Sequence, residues 1–227
     1  MGNNKVLASK ALERYLDVTP AVTAKDIMLI TMNINSTDDP IYKLFQQRKE
    51  DFLKVISKEK FDGLDKNIKL RSISQKAYNK GKKTFDEKYF MDEAQKFLTK
   101  EEAEKQLQDI KINIAIDNKD DPTYEKLTLE KYKDYANIDP MELGFGAWGF
   151  AEKDVVISKP ALEKAIIWVQ ESNKKMENPM TMLTLAKLYM KTEDKANAKI
   201  WANKSIELAK TMNQDISEAE KLLEELQ

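Results

Sequence analysis

The chain has 227 residues, 38 Lys plus Arg against 39 Asp plus Glu, and neither cysteine nor histidine. Without Cys there is no disulfide, thiolate nucleophile or iron-sulfur ligand, and without His no imidazole base, so only carboxylates, Lys, Arg, Tyr, Ser and Thr are left for chemistry. A formal charge of -1 supplies no field for gathering nucleic acid, and no run approaches the roughly 18 apolar residues that cross a bilayer, so neither nucleic-acid binding nor membrane insertion is expected.

Glycine and proline are scarce, at six each, and sandwiches and barrels need turns rich in both. The expected fold class is therefore all-α: antiparallel helical hairpins forming an α-α superhelix. Prolines 20, 40, 122, 140, 160 and 179 fall where helices should begin or end. Met1 to Lys5 lacks the apolar stretch of a signal peptide, and Lys5 to Leu16 already reads as helix, with an apolar stripe of Leu7, Ala8, Ala11, Leu12 and Tyr15; the expectation is that the chain begins inside a larger protein. The expected helices are 3–17, 22–33, 40–57, 58–80, 84–97, 99–117, 121–136, 140–152, 160–176, 180–192, 195–211 and 214–226. Ile110 to Ile116 alternates like a strand, but it continues a helical run whose start carries a capping box of Thr99 and Glu102, and helix is expected there. A change of character near Asp139-Pro140, after which come all three tryptophans and denser alanine, suggests an N-terminal helical region 1–138 and helical hairpins 139–227, or one continuous domain.

An internal repeat is the sharpest signal. Ala165-Ile-Ile-Trp-Val-Gln-Glu-Ser172 and Ala198-Lys-Ile-Trp-Ala-Asn-Lys-Ser205 match at Ala, Ile, Trp and Ser with an offset of 33. Two helices per roughly 34 residues is the plan of the tetratricopeptide (TPR) repeat. Leu185, Ala186 and Tyr189 stand where that motif wants Leu, a small residue and Tyr, and Ala198 and Ser205 fill its small positions. Glu193 replaces the turn glycine, and Met182 and Ala202 replace aromatics.

The C-terminal third, through Gly146-Ala-Trp-Gly-Phe150, Ala161-Leu-Glu-Lys-Ala-Ile-Ile-Trp168, Leu183-Thr-Leu-Ala-Lys-Leu-Tyr189 and the run from Ala209 to Leu223, resembles the TPR-like helical tail of Bacteroides-type thioredoxin-family proteins. Ala11-Leu-Glu-Arg-Tyr-Leu16 and the segment from Asp39 to Phe52 are similar to the helical linker of the same proteins. The resemblance implies an accessory, non-catalytic tail that contacts a protein or peptide partner or an upstream thioredoxin-like domain, in the periplasm or cell envelope; the alternatives are a carboxylate-based hydrolase or lyase working in a helical cleft and a structural spacer. No Cys-x-x-Cys occurs, so the family's redox chemistry does not carry over.

Spacing on the helix from Met180 onward puts Met180, Leu183, Lys187, Met190 and Lys191 on one side, where they are expected either to face a peptide groove or to be covered by the N-terminal helices folding back. Met182, Leu185, Ala186 and Tyr189 are expected to pack inside. The segment Gly144-Phe-Gly-Ala-Trp-Gly-Phe150 lacks the pattern of a phosphate loop and reads as close helix packing with Phe145, Trp148 and Phe150 in the core. Glu142 is the one carboxylate singled out for a catalytic role, with a chance neighbour the favoured reading; no cofactor is expected. Asp117, Asp120 and Asp121 do not fit a calcium loop and read as a capping turn, with no metal expected. Lys80-Gly-Lys-Lys83 reads as a solvated loop.

Overall fold

The computed structural model describes residues 2–18, 21–152 and 154–226, with side chains from residue 10 onward. Pro20 and the side chains of Leu7 and Ala8 lie outside the described residues. Among the described residues there are thirteen α-helices, one 3-10 turn and one two-stranded ribbon, so the fold is all-α. All five described prolines sit in the first turn of a helix, where a missing N–H costs nothing. The chain divides into two compact units, Met1–Leu107 and Gln108–Gln227. The division falls inside a helix, whereas the change of character at Asp139-Pro140 marks a helix start within the second unit.

The first unit holds α1 (Gly2–Val18), α2 (Ala24–Asn33), α3 (Pro40–Gln47), α4 (Lys49–Leu53), α5 (Lys58–Ala77), β1 (Tyr78–Asn79), β2 (Thr84–Phe85), α6 (Glu87–Ala94) and the start of α7 (Lys100–Asp117). Its core gathers Leu16, Ile30, Ile34, Ile41, Phe45, Phe52 and Phe61. Phe45 stacks on Phe61 at 4.5 Å and meets Phe52 edge-on at 5.0 Å. Each ring buried this way contributes about 2–3 kcal/mol. At the head of α2 the Thr23 hydroxyl accepts from the Asp26 backbone N–H, while the Asp26 carboxylate accepts from the Thr23 N–H and hydroxyl and from the Tyr15 hydroxyl. These donors, the Thr23 hydroxyl foremost, hold the buried Asp26 carboxyl below its ordinary range.

Two expected helices are corrected here. The helix over 40–57 breaks at Arg48, whose backbone leaves the helical region and whose guanidinium donates to the Leu16 carbonyl. The helix over 58–80 ends at Ala77, because Asn79 accepts from the Lys82 N–H and closes a turn, with Lys83 in the left-handed region at φ 52°. The Lys80–Lys83 run is thus the tip of a ribbon pairing Tyr78 with Phe85.

The second unit continues α7 and adds α8 (Asp121–Lys131), a 3-10 turn (Tyr135–Asn137), α9 (Pro140–Ala151), α10 (Lys159–Lys175), α11 (Pro179–Lys191), α12 (Lys195–Thr211) and α13 (Ser217–Glu225). Ile110 to Ile116 lies inside helix α7, as expected. Successive helices α9 to α13 pack on one another, and α9 also packs on α11. The offset of 33 has a structural counterpart. Ala165 and Ala198 are fully buried, and Ile167 and Ile200 are both exposed. Ser172 and Ser205 are buried and donate to the carbonyls of Pro140 (2.6 Å) and Pro179 (2.7 Å), the prolines that open the preceding helices. The end of each second helix is thereby tied to the start of its partner, which makes α9–α10 and α11–α12 equivalent antiparallel hairpins.

The α7–α8 hairpin reuses the turn of α11–α12. Lys119 and Glu193 both adopt left-handed φ, 55° and 66°, and the next residues, Asp120 and Asp194, return their N–H groups to Ala115 and Tyr189. Asp120 and Asp194 then cap the following helices through Thr123 and Asn197. Matching the turns and the offset of 33 aligns the buried Tyr124 and Thr128 of α8 and Tyr132 at its C-cap with Ala165, Val169 and Asn173 of α10 and Ala198, Ala202 and Ile206 of α12.

Candidate docking surface

The surface begins with the glycines of α9. A Cβ on Gly146 would stand 2.3 Å from the Tyr132 ring, one on Gly149 2.0 Å from the Tyr124 hydroxyl, and one on Gly144 2.7 Å from Thr181. Glycine at these positions lets α9 lie directly against α8 and α11. The buried stripe of α9 is then Leu143, Ala147, Phe150 and Ala151. Of the three aromatics expected in the core only Phe150 is there; Phe145 is 60% and Trp148 47% exposed. The helix is apolar nearly all round, and once its close sides are used, the stripe Met141, Phe145 and Trp148 has no interior left to enter.

That stripe continues onto α11. Met141, Phe145, Trp148, Met176 and Met180 line a shallow notch of about 40 Å³ between the N-terminal parts of α9 and α11, and Met180 is 62% exposed. Phe145 and Trp148 also edge a cleft of about 470 Å³ walled by α7, α8 and α9. In that cleft Lys131 bridges Asp109 at 2.7 Å and Glu142 at 3.1 Å. Burial alone would lower the Lys131 pKa, but the Asp109 and Glu142 carboxylates outweigh it and leave it raised. Thr128 lies among the same residues, and its buried hydroxyl has no hydrogen-bond partner among the described residues. Burial pushes the Tyr124 hydroxyl up to about 12, so it stays a neutral phenol at physiological pH.

The five groove residues expected on α11 do not form one surface. Met180 belongs to the apolar notch. Leu183 packs toward Ala186, Ala198 and Leu222, the seam with α12 and α13. Lys187, Met190 and Lys191 line a second cleft of about 470 Å³ with Ala151, Glu152, Glu218 and Leu222. Lys187 pairs there with Glu218 at 2.6 Å. Lys191 donates to the carbonyls of Phe150, Glu152 and Val155 at 2.9, 2.5 and 2.8 Å, so it closes the C-terminal end of α9. Its burial lowers its pKa, against the pull of Glu152 and Asp121. Met182, Leu185 and Ala186 are buried as expected, and Tyr189 is half-buried. Sequence reasoning missed Met141, Phe145 and Trp148, although their spacing of four and three residues places them on one helical face.

The other singled-out residues have these partners. Glu142 is held by Lys131. Asp120 caps α8, and Asp121 accepts from the Val156 N–H. Among the described residues no group of His, Cys, Asp or Glu is placed to hold a metal ion, and no helix is long and apolar enough to cross a membrane. No protein-family model, curated protein or solved structure matches the chain.

Proposed function

We propose that the second unit is a non-catalytic docking scaffold that takes a protein or peptide segment on the face built by α9 and α11. The carrying observation is the contiguous set Met141, Phe145, Trp148, Met176 and Met180, all at least 40% exposed, on the packed helices α9 and α11 and, for Met176, at the C-terminal cap of α10. Exposed aromatic and methionine side chains grouped beside clefts are the composition of interface centres, where they supply area at low entropic cost. The flexible thioethers adapt to the shape of the partner. The paired helices and the buried small residues Ala165, Ser172, Ala198 and Ser205 support reading the hairpins as a TPR-like array, and the chain as an accessory helical region of a thioredoxin-like protein in the periplasm or envelope. In that reading the partner is the neighbouring domain or its client.

A photo-cross-linking residue in place of Trp148 tests this in the source cell, with the same residue in place of exposed Lys210 as control. A discrete adduct is expected from position 148 and is expected to disappear when Phe145→Ser is added, with the melting temperature of the scaffold little changed because Phe145 is exposed. Identical adduct patterns from positions 148 and 210 would exclude the α9–α11 face.

A further inference from the structure

Beside its five exposed apolar residues, the notch on the α9–α11 face is walled by Gly144, Asn178, Thr181 and Thr184. No charged residue among those described lines it, in a chain where 34% of residues are charged. Charge therefore selects no partner of opposite sign. A surface of this kind can meet its own image, because a two-fold axis brings each residue near its counterpart and would set any charge at the axis against its own sign.

The order of side chains along α9 fits such a pairing. Met141, Phe145 and Trp148 are spaced by four and three residues, the spacing with which one helix presents a seam to another, and they span about 10 Å. Phe145, at 60% the most exposed of the three, stands near the middle. Laid antiparallel on a second α9, the stripe sets Phe145 on Phe145, and Met141 of each copy on Trp148 of the other. Ring on ring and thioether on indole are both favourable contacts. Each residue then contacts what contacts it, which is the condition a two-fold interface imposes.

The size agrees. Partly exposed side chains of these types leave about 100 Å² each in water, so the five give about 500 Å² per copy and about 1,000 Å² for a pair, the lower edge of a specific interface. The exposed Met28, Leu29 and Met32 of α2 offer a comparison, since they share their side of that helix with the exposed Lys25.

We propose that a second copy of this chain occupies the α9–α11 face, the two copies covering each other about a two-fold axis in a weak dimer that a docking segment must displace. This rests on the reading of the face as a docking surface and names its occupant when no other segment is present.

Sedimentation velocity of the full chain over a concentration series tests it. A monomer–dimer equilibrium with a dissociation constant between about 1 μM and 1 mM is expected. Phe145→Ser and Trp148→Ala should each weaken it about tenfold or more, with the melting temperature of the dilute chain little changed because both side chains are exposed. Met28→Ser should leave it as it is. With 5-fluorotryptophan in the chain, the Trp148 fluorine resonance, assigned through Trp148→Phe, should move with concentration while that of buried Trp168 stays in place. The proposal fails if the chain is monomeric at about 1 mM, if Phe145→Ser leaves the dimer intact, or if Met28→Ser dissolves it instead. It fails too if association runs past the dimer, since only an isologous contact closes at two. A monomeric chain that still gives the cellular adduct from position 148 discards the second copy and keeps the docking segment; a dimer lost with Phe145→Ser, and no adduct to any other protein, keeps the second copy and discards the segment.

Discussion

In the first unit three phenylalanines, Phe45, Phe52 and Phe61, meet ring to ring at the centre. In the second, helix contacts run over Ala147, Ala165, Ala186, Ala198 and Ala202, all fully buried, and over glycines that have no room for a methyl group. The first core is held by large side chains filling one volume, so its stability is concentrated in a few residues. The second is held by close backbone approach, repeated hairpin by hairpin, so it is sensitive to added atoms and less so to removed ones. In the second arrangement alanine and glycine on the inner sides of α9 leave Phe145 and Trp148 no interior to fill, and both rings turn outward.

The largest effect should come from Phe45→Ala, which removes the ring shared by both contacts and is expected to cost about 3–5 kcal/mol. Hydrogen exchange should show the loss of protection within residues 1–107, and equal loss in both units would erase the distinction between them. Gly149→Ala breaks the second unit in the opposite way, by adding one carbon 2.0 Å from the Tyr124 hydroxyl, at about 1–3 kcal/mol. Combining it with Tyr124→Phe should restore much of the melting temperature, since the remaining ring carbon is 3.3 Å away. Additive losses in that double-mutant cycle would show that the hydroxyl is not the obstacle.

The smallest effect concerns charge. Asp26 has its folded pKa below the ordinary 3.8, because the Thr23 hydroxyl, then the Thr23 N–H and Tyr15, favour the carboxylate. The unfolded chain therefore binds this proton more readily than the folded one. The stabilisation is complete above pH 3.8 and fades as pH falls toward the folded pKa. Asp26→Asn should cost about 1 kcal/mol at neutral pH, as a weakened helix cap, and should flatten the acid limb of stability against pH; an unchanged acid limb would place the cause elsewhere.

The all-helical fold was legible because scarce Gly and Pro, prolines at helix starts and spacings of three and four all agreed. So was the repeat, down to Ser172 and Ser205, since a small residue leaves a mark at whatever position close approach requires. The ribbon at Tyr78–Phe85 was hidden in a lysine-rich stretch with helical flanks, and its turn depends on one Asn79 side chain. The division between the units leaves no trace in composition because it falls inside α7. Phe145 and Trp148 were read as core because an apolar helix does not announce which side faces inward. Their place depended on what Gly146 and Gly149 allow Tyr132 and Tyr124 to do, a contact between residues far apart in the chain. The fixed duty of Lys191 on three backbone carbonyls was likewise invisible, since spacing alone gives no sign of a lysine turned onto its own chain.

All three tryptophans, Trp148, Trp168 and Trp201, lie in the second unit, and each has different surroundings: one on the outer face, one sealed in the core and one beneath a lysine. The chain thus carries an optical label for half of itself. Indole emission follows the second unit and is silent on the first, whose aromatic signal comes from Tyr and Phe alone. Within that emission the half-exposed Trp148 supplies the red edge and the buried Trp168 the blue, so a partner settling on α9 would shift one side of the band and leave the other in place.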